Sequence, residues 1–216
     1  MGSTREDCRD LGLEYRGRIA TLIRSDSIDV KESVRRYLDP AGPFAAHSFD
    51  SIKSNPANRL DVADFLAVGF LDTPIKAASF RELKRREDEI SALLEKLPTG
   101  RKLWEMTQDE YETGDALWSV LRSIKGLGPT RVSKILARKR PKLFPIWDSR
   151  VDAFFEHKTE RFWWPLAVAL EDRDLRAQIR DLKPPDLEDR ISLIRVLDIA
   201  IWMSGADVPG TVGDDD

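Results

Sequence analysis

"IKGLGPTRVSKILARKRPKLFPIWDSRV", residues 124–151, decides the fold, because it contains a glycine turn between two amphipathic segments. The apolar residues on either side of this turn recur at three- and four-residue intervals, as they do on the buried face of a helix. Gly126 and Gly128 bracket Leu127, so the backbone can turn sharply while the leucine anchors the turn in the core. The pattern predicts a helix before the turn and a short helix at residues 129–139.

Helix signals recur along the rest of the chain, whereas alternating strand patterns do not. Asp29, Ser79 and Thr107 are each followed three residues later by Glu, which is a capping pattern at a helix N-terminus. Apolar spacing places the helix before the turn at residues 109–124 and predicts three further helices, at residues 61–71, 79–96 and 186–205. The first of these is apolar nearly all round, which predicts a buried helix. The chain is therefore predicted to be all-α.

The predicted organisation is a single helical unit with short, unstructured ends. Residues 1–10 are expected to form a flexible N-terminus and residues 207–216 a disordered tail. Residues 11–206 are expected to form one all-α domain, in which the two helices and their glycine turn take residues 113–140.

The composition excludes several classes of protein and of active site. The chain has 216 residues, one Cys and two His, which is too few soft ligands for a zinc or iron–sulfur site. Its start carries no apolar run and no stretch approaches eighteen apolar residues, so we expect a cytoplasmic protein without a membrane span. We therefore expect no metal and no organic cofactor, and carboxylates as the reactive groups if the protein is an enzyme.

The charge is distributed unevenly along the chain. Residues 121–150 contain nine Lys or Arg and a single acid, Asp148, although the whole chain has a net charge of −3. A basic cluster on one motif indicates a nucleic-acid contact, and the alternative is an ordinary solvated face.

The start of the helix after the glycine turn, at residue 129, fits a phosphate group. The two helices and their turn are called the hairpin below. Pro129 suits the first helical position because it lacks the N–H that would have no partner there. The next N–H groups point outward at the positive end of the helix dipole, where an anion is favoured. The predicted contacts to a phosphate backbone are Lys125, Gly126, Leu127, Gly128, Thr130, Arg131, Lys134, Arg138, Lys139 and Arg140.

The motif "KGLGPTR" followed by "IWDSRV" resembles the helix-hairpin-helix base-excision DNA glycosylase superfamily that includes endonuclease III. The resemblance covers roughly residues 113–151 and places Asp148 on the catalytic aspartate of that family, in a catalytic-type segment at residues 144–152. Thr130, 18 residues earlier, stands where the bifunctional members have their lyase lysine. The segment "SKILARKRPKLFPIWDSRV" also resembles a bacterial family with no assigned activity.

The resemblance implies a two-lobed helical glycosylase fold, duplex DNA as partner, and a monomer. It implies hydrolysis of the N-glycosidic bond of a modified base, in DNA repair or the processing of DNA modifications. Thr130 implies that no lyase step follows, although Lys134 lies one turn later and a displaced amine stays open. Lys125 departs from the proline usual at its position in the hairpin.

An N-glycosidic bond breaks through an oxocarbenium-like sugar, which a nearby carboxylate such as Asp148 stabilises. Trp147, Trp163 and Trp164 are candidates for stacking on an extruded base. Each residue also has a structural interpretation, since Asp148 fits a helix N-cap and the tryptophans fit a core. Two alternatives therefore remain, a non-catalytic helix-hairpin-helix DNA-binding protein and a protein-interaction domain.

Overall fold

The structure, a computed structural model, describes residues 7–26, 28–44, 46–52, 56–156, 162–187 and 191–205. These residues form helices and contain no β-strand, which confirms the all-α prediction. The first helix already begins at Arg9, within the residues expected to be a flexible N-terminus. The predicted tail at residues 207–216 lies outside the described ranges.

The described residues contain twelve α-helices. Their bounds are α1 Arg9–Ile23, α2 Val30–Leu38, α3 Ala46–Ser51, α4 Val62–Gly69, α5 Ala77–Arg85, α6 Glu87–Lys96, α7 Gln108–Arg122, α8 Pro129–Lys139, α9 Ser149–Phe154, α10 Trp163–Ala169, α11 Arg173–Asp181 and α12 Leu193–Ser204. Short 3₁₀ turns lie at Leu103–Glu105 and Pro185–Leu187. Helix α1 packs on α10, α2 on α12, α4 on α8 and α6 on α7.

Two of the three predicted capping residues begin helices. The Asp29 side chain accepts a hydrogen bond from the Glu32 amide at 2.9 Å, and Thr107 forms a reciprocal capping box with Glu110. The prediction for Ser79 is wrong, because Ser79 lies inside α5 and is 2% exposed. Its hydroxyl donates instead to the carbonyl of Lys125 at 2.9 Å, in the glycine turn.

The helix at residues 129–139 matches its prediction at both ends, but two longer predictions do not hold. The amphipathic stretch from 79 to 96 is two helices, because the backbone at Arg86 leaves the helical region with φ −99° and ψ 15°. The last helix begins only at Leu193, where the Ser192 hydroxyl caps it by accepting from the Arg195 amide at 3.2 Å.

The sequence predicts that helix α4 is buried on all sides, but one of its sides is exposed. Val62 and Leu66 are 71% and 54% exposed, and Phe70, just beyond the helix, is 36% exposed. Only the opposite side, with Ala67 and Val68, lies in the core. An apolar helix surface therefore faces solvent beside the hairpin, and periodicity cannot detect it because both faces of α4 are apolar.

None of the helices in the described ranges has both the length and the apolar character that a bilayer span requires.

Candidate nucleic-acid interface and the Asp148 site

The turn between α7 and α8 is fixed from three sides. Leu127 is 2% exposed, and its amide donates to the Ile124 carbonyl at 3.0 Å. The Arg122 guanidinium donates to the Leu127 carbonyl at 3.1 Å. Gly126 has φ +86°, and a Cβ at this position would lie 2.7 Å from the hydroxyl oxygen of Ser79. The turn therefore requires a glycine for both its backbone angle and its packing.

Helix α8 begins with an exposed, glycine-lined entry. Gly128 is its N-cap, Pro129 is its first residue, and no described side chain caps it. Its first amides therefore need partners from outside the helix. Lys125 and Gly126 are exposed at the turn, and Thr130 is half-buried.

The basic residues at the other end of α8 are turned inward. Arg140 is 1% exposed and donates to the carbonyls of Leu97 at 3.0 Å and Ala57 at 2.7 Å. A third hydrogen bond, of 2.6 Å, reaches the side-chain oxygen of Asn58. Arg140 therefore connects the end of α8 to residues 57–58, before α4, and to Leu97, after α6.

Arg138 and Lys139 serve the same purpose. Both form ion pairs with Asp64, which is completely buried in α4. Arg138 also donates to the carbonyl of Phe49 at 2.8 Å, and Lys139 to that of Pro56 at 3.1 Å. These bonds attach α3, through Phe49, and Pro56 to the C-terminal end of α8.

This placement corrects the predicted set of phosphate contacts. Lys139 and Arg140 lie inside the protein, and Arg138 is only partly accessible, with its guanidinium bonded to internal carbonyls. Leu127 is buried and offers a strand only its backbone. In the basic stretch, Lys125 and Lys142 are exposed, and Arg122, Arg131 and Arg150 are part-exposed like Arg138. The Nε of Arg131 donates to the Pro74 carbonyl at 3.3 Å. The basic stretch is thus mainly a structural clamp.

Lys134 is a buried lysine beside Asp148. It is 6% exposed, and its Nζ donates to the carbonyl of Leu71 at 2.7 Å. Burial lowers the pKa of Lys134 from 10.5 to about 8, because it disfavours the charged form, while the negative charge of Asp148 opposes this effect. Such a lysine is unavailable as a surface contact but is electrically coupled to the predicted catalytic carboxylate.

Asp148 is the N-cap of α9. Its Oδ1 accepts from the amides of Arg150 at 3.1 Å and Val151 at 3.0 Å. Both bonds use Oδ1, and among the described residues Oδ2 accepts no hydrogen bond. The side chain is half-buried. Asp148 can therefore cap α9 and still serve as the predicted catalytic carboxylate, since a capping carboxylate can keep one oxygen for a ligand.

The backbone that leads into Asp148 is held by two neighbouring helices. The Trp147 amide donates to the hydroxyl of Ser133 in α8 at 2.9 Å. The Ile146 amide donates to Oδ2 of Asp198 in α12 at 3.3 Å. The predicted hairpin helix and the last long helix thus meet at the segment that orients Asp148.

Asp198 belongs to a buried charge network that sequence reasoning missed. Arg195 donates to Asp198 Oδ1 at 2.9 Å, to both carboxylate oxygens of Asp50, and to the Tyr37 hydroxyl at 3.3 Å. Arg195 and Asp198 are 7% and 5% exposed. The available signal was the pair of opposite charges three residues apart in "LIRVLDIAIW", an otherwise apolar helix.

The three predicted stacking tryptophans lie in the core. Trp147, Trp163 and Trp164 are 6%, 0% and 1% exposed. Trp147 stacks on Phe162 with ring centroids 3.9 Å apart, and Trp164 stacks on Tyr111 at 4.5 Å. These tryptophans therefore act as core residues, because rings that are buried and packed on protein partners have no free face for a base.

A different tryptophan, Trp202, is part-exposed and contacts Arg150, two residues after Asp148. The guanidinium of Arg150 lies 4.2 Å from the ring centroid of Trp202 and donates to its carbonyl at 3.1 Å. Trp202 meets Tyr37 and Phe44 edge-on, at centroid distances of 5.6 and 5.9 Å. This aromatic group flanks the first turn of α9.

In the part of the chain that the structure describes, no three His, Cys, Asp or Glu side chains are grouped so that they could hold a metal ion.

A family of unknown function, DUF6308, matches residues 30–205. The match spans α2 to α12 and covers most of the sequence, so the chain belongs to this family. No curated protein and no solved structure matches the chain.

Proposed function

We propose that this DUF6308 protein binds duplex DNA through its helix-hairpin-helix unit and hydrolyses the N-glycosidic bond of a modified base. The proposal includes the two-lobed glycosylase fold that the resemblance implies. The hairpin of α7 and α8 grips the strand, and Asp148 acts on the sugar.

One observation carries the proposal: the half-buried Asp148 carboxylate has one oxygen in the α9 cap and the other without a hydrogen bond among the described residues. Ser133, in the hairpin helix α8, holds the adjacent Trp147 amide. The hairpin and the carboxylate are therefore mechanically connected, so a strand bound at the turn has a fixed relation to Oδ2. Attack at a sugar carbon requires a fixed geometry of this kind.

The chemistry needs a negative charge near the anomeric carbon as the base departs. Asp148 supplies it, either by stabilising the oxocarbenium-like sugar or by orienting the attacking water. The water contributes its hydroxyl to C1′ and a proton to the departing base, which leaves an abasic site. Because Thr130 takes the place of the lyase lysine, the reaction ends there and the strand stays intact.

The hairpin holds the phosphates next to the target nucleotide. The exposed Lys125, the open glycine-lined start of α8 and the part-exposed Arg131 form a small positive surface. Because the hairpin itself exposes few cations and the chain carries a net charge of −3, the proposed affinity is modest, with a salt dependence that corresponds to only a few phosphate contacts.

The hydrolysis is tested with duplexes that each carry one modified base, incubated with protein and then treated with alkali. Alkali cuts abasic sites, so we expect cleavage of one or a few substrates only after this treatment. Asp148→Asn should abolish it while preserving the fold, because Asn caps helices as well as Asp does. Strand cleavage without alkali, or product unchanged in Asp148→Asn, would contradict the proposed reaction.

The DNA grip is tested separately by Lys125→Glu. Removing one phosphate contact should weaken binding to every duplex and reduce the slope of log K against log salt by about one. Lys31→Glu is the matched control, because it makes the same change of charge at an exposed position on α2. Equal effects of the two substitutions would exclude a specific contact at the hairpin.

A non-catalytic DNA-binding protein is the second candidate. The observation that favours it is the burial of Trp147, Trp163 and Trp164, which leaves none of the predicted aromatic side chains free to hold an extruded base. Salt-dependent binding that depends on Lys125, with no base released from any duplex, would establish this alternative.

A further inference from the structure

A buried carboxylate on α12 determines how the backbone enters the Asp148 cap. Asp198 Oδ2 accepts from the amide of Ile146, two residues before Asp148, while its Oδ1 accepts from Arg195. We infer that Asp198 is a positioning residue whose gain or loss of a proton changes how firmly the Asp148 segment is held. The consequence for catalysis rests on the proposed function, but the coupling itself does not.

The charges around Asp198 leave it without a full counter-charge. Arg195, one turn earlier on α12, forms three hydrogen bonds with Asp50 of α3, two of 3.1 Å and one of 2.9 Å. A single bond of 2.9 Å is left for Asp198. The hydroxyl of Tyr37 in α2 also accepts from Arg195, and Lys134 of α8 interacts with the same guanidinium at longer range. One guanidinium thus faces two carboxylates.

The unequal sharing makes Asp198 the group that takes up a proton. Burial raises the pKa of Asp198 to about 7, and the attraction of Arg195 only partly offsets it. Burial lowers the pKa of Arg195, but Asp50 and Asp198 outweigh this effect and raise it well above its usual value, so the guanidinium stays charged. The carboxyl therefore changes state near neutral pH while its partner does not.

The added proton belongs on Oδ2, because Oδ1 faces the N–H of the charged Arg195. Oδ2 is also the oxygen that the Ile146 amide contacts at 3.3 Å. A hydroxyl oxygen is a poorer acceptor than a carboxylate oxygen, so protonation weakens this bond. The segment into Asp148 is then held mainly by Ser133. The segment is tight above about pH 7 and loose below it.

The coupling is measured without any substrate, by recording the ¹H–¹⁵N amide signal of Ile146 from pH 5 to 9. The wild-type signal should move with a midpoint near pH 7. In Asp198→Asn, which cannot ionise, the signal should stay constant over this range. Ser192→Ala is the matched control: it removes the cap of the same helix but leaves the Asp198 carboxyl, so its titration should persist.

Asp50→Asn gives a second test that a purely structural role would not pass. With Asp50 neutral, Arg195 has Asp198 as its sole charged partner in the network, so the Ile146 midpoint should fall by one pH unit or more. A constant wild-type signal, a persistent titration in Asp198→Asn, or an unchanged midpoint in Asp50→Asn would each overturn the inference.

The catalytic consequence is read from the pH profile of single-turnover base release. Because the ionised fraction of a group with a pKa of about 7 rises about tenfold from pH 6 to pH 8, the wild-type rate should rise by up to that factor. Asp198→Asn should show a low rate without this rise. If no duplex loses a base, the proposed function fails, whereas the Ile146 titration still decides whether Asp198 positions the segment.

Discussion

Lys134→Met should stabilise the folded protein, although it removes a buried side chain with a hydrogen bond. The pKa of Lys134 falls from 10.5 to about 8 on folding, and each pKa unit corresponds to about 1.4 kcal/mol. Keeping this lysine charged at pH 7 therefore costs the folded state about 3 kcal/mol. Methionine fills similar space, but the Leu71 carbonyl loses its donor, at a cost of about 1 kcal/mol. The net gain is about 2 kcal/mol.

The matched control lies on the same helix and has the opposite sign. Lys139 is also buried, but it forms an ion pair with Asp64, which is 0% exposed. Lys139→Met leaves this carboxylate undercompensated and should destabilise the protein by about 3 kcal/mol. Urea unfolding at pH 7, followed by fluorescence, gives both free energies of unfolding.

The pH dependence identifies the cause of the difference. Since the folded pKa of Lys134 lies below the unfolded value, the unfolded chain binds more protons between about pH 8 and pH 10.5, and the wild type gains stability there. The advantage of Lys134→Met should therefore shrink as the pH rises through this window. Two results would refute the claim that burying the charged Lys134 destabilises the folded protein. One is an equal loss of stability in both variants, and the other is a difference in stability between Lys134→Met and the wild type that does not depend on pH.

Three further substitutions test other parts of the fold. Gly126→Ala should lower the free energy of unfolding by about 1–2 kcal/mol, because Gly126 has φ +86° and the Ser79 hydroxyl lies close to it. Gly128→Ala should change this free energy by less than about 0.5 kcal/mol, because Gly128 has φ −69° and open space around it. Urea unfolding of the two variants measures both values. In Asp198→Asn, thermal unfolding should lack the loss of stability that the wild type shows as the pH rises from about 4 to about 7, since the folded pKa of Asp198 is raised.

The sequence predicts the hairpin well because the signals there are local. Glycines at a turn, proline at the first helical position and apolar spacing act within a few residues, so α8 appears at its predicted bounds, Pro129–Lys139. The capping patterns at Asp29 and Thr107 are local in the same way. The local capping pattern fails at Ser79, because its hydroxyl donates to the carbonyl of Lys125, 46 residues away in the sequence.

The candidate site is less predictable, because it depends on what each charge meets in three dimensions. Arg138, Lys139 and Arg140 read as a surface track, yet their partners are carbonyls and a carboxylate from residues 49–64 and 94–97. Charge clustering gives the sign of a region but not the direction of its side chains. The Asp198 network was missed for the same reason, since its members come from three separate helices.

Release of a free base from duplex DNA is the most direct test of the central claim, that a strand held at the glycine turn presents its sugar to Asp148. Single modified duplexes would be incubated with wild type, Asp148→Asn and Lys125→Glu, and the released base would be identified by mass spectrometry. The account predicts release by the wild type, none by Asp148→Asn despite normal binding, and a salt-sensitive reduction for Lys125→Glu. Equal release by wild type and Asp148→Asn, or bound duplexes that never lose a base, would contradict it.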